Sequence, residues 1–168
     1  QLSPAQYELF KANFDALIKL DNKVDLFEWS LQKLLFHHLA AVFDKHYKPK
    51  LGKKELTKLS GPIAQLLSML AQSTRQENIQ ATAAFAAGAD LLSLDLKFIP
   101  AASISYESLN EALDELNKLK PLQKPALLKA LVACVEADAQ VLPKEVELLR
   151  AIAAALDCPM PPLLSLKD

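Results

Sequence analysis

Residues 138–145 read Asp-Ala-Gln-Val-Leu-Pro-Lys-Glu, and residues 21–28 read Asp-Asn-Lys-Val-Asp-Leu-Phe-Glu. Both fit the pattern Asp-x-[Lys/Gln]-Val-x-x-x-Glu, and each lies between two stretches whose apolar residues have helical spacing. The two copies lie too far apart for the period of a short solenoid repeat. The repeat therefore predicts one domain built from two related, pseudo-symmetric helix–turn–helix halves.

The composition is that of a folded protein with one core. The chain has 168 residues, of which 51% are hydrophobic and 23% are charged, so it is long enough for one well-buried core and short for two domains. Its net charge is −1, whereas a nucleic-acid-binding protein normally shows a basic patch or stripe. The one basic cluster in the sequence, Lys48–Lys58, is interpreted as a solvated connection, with a phosphate-binding surface as the alternative. We expect no nucleic-acid partner.

The cysteines and the apolar stretches bear on the compartment. Cys134 and Cys158 have no CxxC spacing and predict no disulfide framework, and Cys134 lies in an apolar helical stretch where a small buried side chain is expected. No stretch approaches the roughly 20 apolar residues that span a bilayer, so no direct membrane insertion is expected.

The chain begins with Gln1 rather than Met, which suggests a fragment of a longer protein or a processed product.

Helical spacing of apolar residues extends over almost the whole chain and predicts a single all-α bundle of about seven helices over residues 1–168. The predicted helices begin at Ser3-Pro4, Asp25, about Glu55, about Gln76, Ser105, Pro121 and Pro143. The third should break near Gly61-Pro62, and the alanine-rich fourth should allow close helix–helix approach. An irregular link is expected over Ser93–Ser105, and the proline-rich tail from Cys158 should lie extended over the core.

The two acidic turns concentrate the side chains that could carry out chemistry. Pseudo-symmetry would bring together five carboxylates: Asp21, Asp25, Glu28, Asp138 and Glu145. Calcium and magnesium prefer clustered oxygen ligands of this kind. Helix capping is the other interpretation, because Asp25 and Glu28 have the spacing of a capping box and Pro143 and Glu145 occupy the equivalent first-turn positions. The residues alone leave both interpretations open.

The remaining candidates for a site are weaker. The chain has no GxSxG sequence and no glycine-rich phosphate loop, and its histidines have no zinc-binding spacing. These histidines are His37, His38 and His46. Trp29, Phe36 and Phe43 lie on one face of the second predicted helix, where core packing is the favoured role and a docking surface the alternative. We therefore predict that the chain is not an enzyme by itself.

The acidic turns resemble the tellurite-resistance TerB-like domain, whose usual form has an Ala-Asp-Gly-x-[Val/Ile]-x-x-x-Glu turn twice. Residues 137–141 and Glu145 match the second copy, with Ala139 in place of glycine. Residues 20–24 and Glu28 match the first copy, with Asn22 in the glycine position. The resemblance implies an all-helical fold. It also implies the alternative function, a calcium-type divalent-cation sensor or a stress-response module that acts on its own.

Longer segments resemble the C-terminal portion of bacterial membrane-bound HtpX-like zinc metallopeptidases. They are the opening Leu-Ser-Pro-Ala-Gln-Tyr and residues 25–38 and 156–163, so the resemblance covers nearly the whole chain. It implies that the HExxH domain, its zinc ion and the membrane segments lie upstream of Gln1. The chain would then be a non-catalytic accessory domain of a zinc-dependent protease with chaperone-like function. It would lie on the cytoplasmic side of the inner membrane and dock on the peptidase or membrane region of its parent chain, or on another protein.

Overall fold

The computed structural model describes residues 3–20, 28–30, 32–33, 35–36, 39, 52–73 and 77–160, and the fold is given for these residues. They form a helical bundle, as the apolar spacing predicts. The helices are α1 (Pro4–Leu20), α2 (the helical residues of 28–39), α3 (Ser60–Gln72), α4 (Asn78–Leu92), α5 (Tyr106–Leu116), α6 (Lys124–Glu136) and α7 (Pro143–Ala155). Residues 21–27 of the first acidic turn lie outside the described residues, so the pseudo-symmetry of the two halves stays a prediction.

Serine side chains start two of the helices at the predicted positions. Gln6 N donates to Ser3 Oγ at 3.2 Å and Ser3 N donates to Gln6 Oε1 at 2.9 Å, so α1 begins with a reciprocal capping box. Helix α5 begins in the same way, with Ser108 N 3.1 Å from Ser105 Oγ and Ser105 N 3.0 Å from Ser108 Oγ. Each box satisfies amide groups that have no acceptor inside the helix.

The break predicted near Gly61-Pro62 lies two residues earlier, at Leu59. Helix α3 runs without interruption from Ser60 to Gln72. Pro62 lies in its first turn, where the missing N–H group would have had no intrahelical acceptor. The interruption comes earlier, because Leu56–Lys58 form a separate 3₁₀ turn before the helix.

The sixth helix begins later than its first proline. Pro121–Gln123 form a second 3₁₀ turn, and α6 begins at Lys124 with Pro125 in its first turn. The Gln123 side chain reaches the other 3₁₀ turn, since its Oε1 accepts a hydrogen bond from Leu56 N at 3.0 Å. The two 3₁₀ turns therefore lie side by side.

Helices α3 and α6 form the centre of the bundle. Helix α3 contacts α4, α5 and α6, and α6 also contacts α4 and α7. Apolar side chains cover most of both helix surfaces, which is typical of helices surrounded by other elements. The side chains of these two helices that are at most 1% exposed include Ile63, Leu66, Leu67, Leu70, Leu127, Leu128 and Leu131.

The backbones of α4 and α6 come close together at Gly88. A Cβ atom at this position would lie 2.7 Å from the Ala130 carbonyl oxygen and 2.7 Å from Leu67 Cδ2. Carbon atoms normally keep about 3.5–4.0 Å from such neighbours, so no larger side chain fits. The alanine-rich sequence predicts this close packing. The buried alanines of α4 are Ala81, Ala84 and Ala89.

We predict that Gly88→Ala lowers the free energy of unfolding by about 1–3 kcal/mol, the usual cost of an overpacked core. The measurement is equilibrium urea unfolding followed by circular dichroism. Gly61→Ala is the matched control, because no heavy atom lies within 4 Å of the added Cβ. It should leave stability unchanged or raise it by up to about 1 kcal/mol through helix propensity. Equal effects of the two substitutions would contradict the close approach.

Polar side chains of α3 hold the irregular link between α4 and α5. The buried Ser68 Oγ accepts a hydrogen bond from Ile99 N at 2.9 Å. Gln72 binds the backbone on both sides of Pro100: its Nε2 donates to Ile99 O at 3.0 Å, and its Oε1 accepts from Ala101 N at 2.8 Å. These bonds satisfy backbone groups that lie outside any helix, so the link has a defined path.

A one-pair parallel β-bridge joins the segment before α3 to the segment after α5. Lys54 N donates to Lys118 O at 2.8 Å, and Lys120 N donates to Lys54 O at 2.9 Å. Gly52 lets the two backbones approach, because a Cβ atom there would lie 2.2 Å from the Leu119 carbonyl oxygen. The bridge brings together two lysine-containing segments that are distant in sequence.

Two glutamates pair with lysines around this bridge. Glu115 binds both Lys118 and Lys54, the latter at 2.6 Å, and Glu55 binds Lys120 at 2.6 Å. The hydrogen bonds from Lys118 and Lys54 lower the pKa of Glu115 to about 2. The hydrogen bond from Lys120 lowers the pKa of Glu55. Both carboxylates are therefore ionised at neutral pH.

Candidate functional site

The second acidic turn joins α6 to α7 and uses its carboxylates to bind backbone amides. Asp138 Oδ1 accepts a hydrogen bond from Gln140 N at 3.1 Å, and this side chain is exposed. Glu145 is only 1% exposed, and its Oε2 accepts from Leu142 N at 2.9 Å. The Glu145 bond is the second half of a capping box, in which a carboxylate in the first turn accepts a hydrogen bond from the N-cap amide. Capping by Glu145 is thereby confirmed.

Ala139 adopts the conformation that favours glycine. Its φ angle is 58°, in the left-handed region, and its N–H donates to Glu136 O at 3.0 Å as the chain leaves α6. This is the position at which the TerB-like turn has glycine. A side chain in left-handed backbone costs roughly 1–2 kcal/mol, so the turn keeps a glycine-type geometry at a cost in stability.

We predict that Ala139→Gly raises the free energy of unfolding by about 1 kcal/mol, because glycine adopts a positive φ without steric cost. Ala137→Gly is the matched control two residues earlier. Ala137 has a φ of −59° in the right-handed helical region, so glycine there should lower stability by up to about 1 kcal/mol. Urea unfolding of both variants measures the difference. Shifts of the same sign would contradict the assigned turn.

The other predicted carboxylates are not brought into one site by the described residues. Glu28 is exposed at the start of the described part of α2, while Asp21 and Asp25 lie outside the described residues, as do all three histidines. Within the part of the chain that the structure describes, no group of three or more His, Cys, Asp or Glu side chains is placed to hold a metal ion. The calcium or magnesium site at Asp21, Asp25, Glu28, Asp138 and Glu145 stays a prediction.

The aromatic face of α2 contributes to the core at Trp29. This side chain is 0% exposed, and its Nε1 donates to Asn110 Oδ1 on α5 at 3.0 Å. A buried indole N–H needs such a partner, and Asn110 was not singled out from the sequence. Core packing is therefore confirmed for Trp29, whereas Phe43 lies outside the described residues.

Phe36 packs against α1. Its ring makes edge-type contacts with three aromatic rings of α1, with centroids 5.8–6.4 Å apart. These rings belong to Tyr7, Phe10 and Phe14. On the same helix, Leu9 is 63% exposed and Phe10 is 36% exposed. The cluster therefore joins α1 to α2 and leaves part of its apolar surface accessible.

A buried lysine stabilises the end of α7. Lys124 is 7% exposed, and its Nζ donates to the Leu156 carbonyl oxygen at 2.6 Å. A cation is favourable at a helix C-terminus, where carbonyl groups lack intrahelical partners. The sequence has no signal for this contact, since 32 residues separate donor and acceptor. Nearby, burial raises the pKa of the Cys158 thiol.

No described helix combines the length and the apolar character that crossing a membrane requires. No family model, curated protein or solved structure matches the chain. The resemblances to TerB-like domains and to HtpX-like peptidases therefore rest only on the residues quoted for them in the sequence analysis.

Proposed function

We propose that this chain is a non-catalytic helical interaction domain, and specifically an accessory domain of an HtpX-like membrane-bound zinc peptidase. The observation that carries the interaction role is the accessible apolar surface of α1, where Leu9 and Phe10, a member of the aromatic cluster, are exposed. The assignment to a peptidase rests on the sequence resemblance at residues 25–38 and 156–163.

Four polar side chains of the described bundle support a scaffold role, because each of them binds backbone groups. Ser68 and Gln72 hold the link before α5, Lys124 binds the end of α7, and Glu145 binds its start. Such bonds order loop segments that would otherwise be free to move. A domain that positions a partner needs this kind of fixed framework.

The α1 surface fits an apolar patch on a partner protein. Leu9 and Phe10 are adjacent, and Phe10 is anchored by its ring contact with Phe36 at a centroid distance of 6.2 Å. Anchored aromatic and aliphatic side chains lose little conformational freedom when they bind. The proposed partner is the peptidase or membrane region of the parent chain, with this domain on the cytoplasmic face of the inner membrane.

The test compares the parent peptidase with a form that lacks residues 1–168, using an unfolded protein as substrate. Deletion should change the cleavage rate or the choice of cleavage sites, because the domain positions the peptidase or its substrate. Leu9→Ser in the complete protein should reproduce part of the effect, and Ile79→Ser on α4, where Ile79 is 83% exposed, should not.

Two results would contradict the proposal. One is a parent reading frame without an HExxH helix, because the parent protein would then not be a zinc peptidase of this kind. The other is an unchanged cleavage rate and cleavage pattern after deletion of residues 1–168, which would remove the accessory role.

A further inference from the structure

The surface formed by residues 53–58 and 118–122, here called the lysine surface, combines positive charge with an exposed apolar side chain. We propose that it binds the anionic headgroups of a phospholipid membrane, with Leu122 entering the boundary between headgroups and acyl chains. This inference goes beyond the proposed docking through α1 and uses a different part of the molecule.

The positive charge of the lysine surface comes from two segments that the β-bridge joins. Its lysines are Lys53, Lys54, Lys58, Lys118 and Lys120, all of them exposed. Only the first three belong to the basic cluster visible in the sequence. Glu55 and Glu115 offset two of the five positive charges, which leaves a local charge of +3 on a chain whose net charge is −1. Lysine side chains of this kind attract anionic lipid surfaces without directional contacts.

An apolar side chain projects beside these lysines. Leu122 is 95% exposed, the highest exposure among the large apolar side chains that the structure describes. It lies two residues after Lys120, in the 3₁₀ turn Pro121–Gln123. The Gln123 side chain fixes this turn against Leu56, in the other segment of the surface. Leu122 is thus held in place beside the lysines rather than on a free loop.

The chemistry of the surface favours lipid over nucleic acid. Residues 53–58 and 118–122 contain neither arginine nor an aromatic side chain. Surfaces that read nucleic-acid bases rely on bidentate arginine contacts to the bases and on aromatic rings that stack on them. Peripheral membrane surfaces instead combine lysine charge with aliphatic side chains that reach the acyl boundary.

Acidic side chains of α5 define the side of the surface that meets the lipid. Glu107, Glu111 and Asp114 lie at exposed positions one or more residues N-terminal to Glu115. The lysines of this region follow the end of α5, at Lys118 and Lys120. An anionic membrane should therefore meet the C-terminal end of α5 and not its flank.

The test is co-sedimentation of the chain with vesicles of phosphatidylcholine alone or mixed with phosphatidylserine. Binding should require phosphatidylserine and weaken as salt is added. The double variant Lys53→Gln/Lys58→Gln should bind roughly 25-fold more weakly, at about fivefold for each lysine. Leu122→Ser should bind about tenfold more weakly, because it removes the apolar contribution.

Matched controls carry the same kinds of substitution at exposed positions outside the lysine surface. Lys97→Gln/Lys144→Gln and Ile79→Ser should bind like the unmodified chain, and circular dichroism checks that every variant is folded. The proposal is overturned if vesicle binding is absent, if it does not depend on phosphatidylserine, or if the controls lose as much binding as the test variants. Tighter binding to a short DNA duplex, lost in the same lysine variant, would overturn it in favour of a nucleic-acid surface.

Discussion

The close contact of α4 with α6 at Gly88 is the constraint on which the rest of the bundle depends. It brings the backbone of α4 against Ala130 and also against Leu67 of α3, so three helices meet at one point that has no side chain of its own. This arrangement lets α3 and α6 act as the central pair, with α5 and α7 packed on their other sides. Dense packing of this kind tolerates little change in volume.

Hydrogen bonds from side chains to backbone groups fix the segments between the helices. Gln72 fixes the chain on both sides of Pro100, Gln123 joins the two 3₁₀ turns, and Glu145 starts α7. The bonds with Gln72 and Gln123 join residues more than 20 positions apart in sequence. The turn that carries Leu122 is held in this way, because Gln123 fixes it against Leu56.

Local sequence signals predict the helices well and the contacts between them poorly. The serine caps at Ser3 and Ser105 lie where expected, since a cap depends only on residues within one turn. The break expected near Gly61-Pro62 falls at Leu59 instead, because a proline in the first turn of a helix starts the helix rather than ends it. Two hydrogen bonds depend instead on how the helices pack, which spacing alone does not specify. They join the side chains of Trp29 and Asn110 and the backbones of Lys54 and Lys118.

In the candidate site, too, local features can be predicted from the sequence and contacts between distant segments cannot. Glu145 takes the capping role that its position in the first turn predicts, and Ala139 adopts the left-handed conformation that favours glycine. Both follow from local geometry. The gathering of all five carboxylates depends instead on how the two acidic turns lie relative to each other, which no pattern within either turn encodes.

Native-state amide hydrogen exchange tests the central role of the α4–α6 contact most directly. The amides of residues 85–89 in α4 and 131–135 in α6 should exchange only through global unfolding. Their exchange free energies should then be equal and should fall together as denaturant is added. If the α4 amides exchanged through local openings that denaturant does not affect, while those of α6 stayed protected, α4 would not be part of the cooperative core and the account would be contradicted.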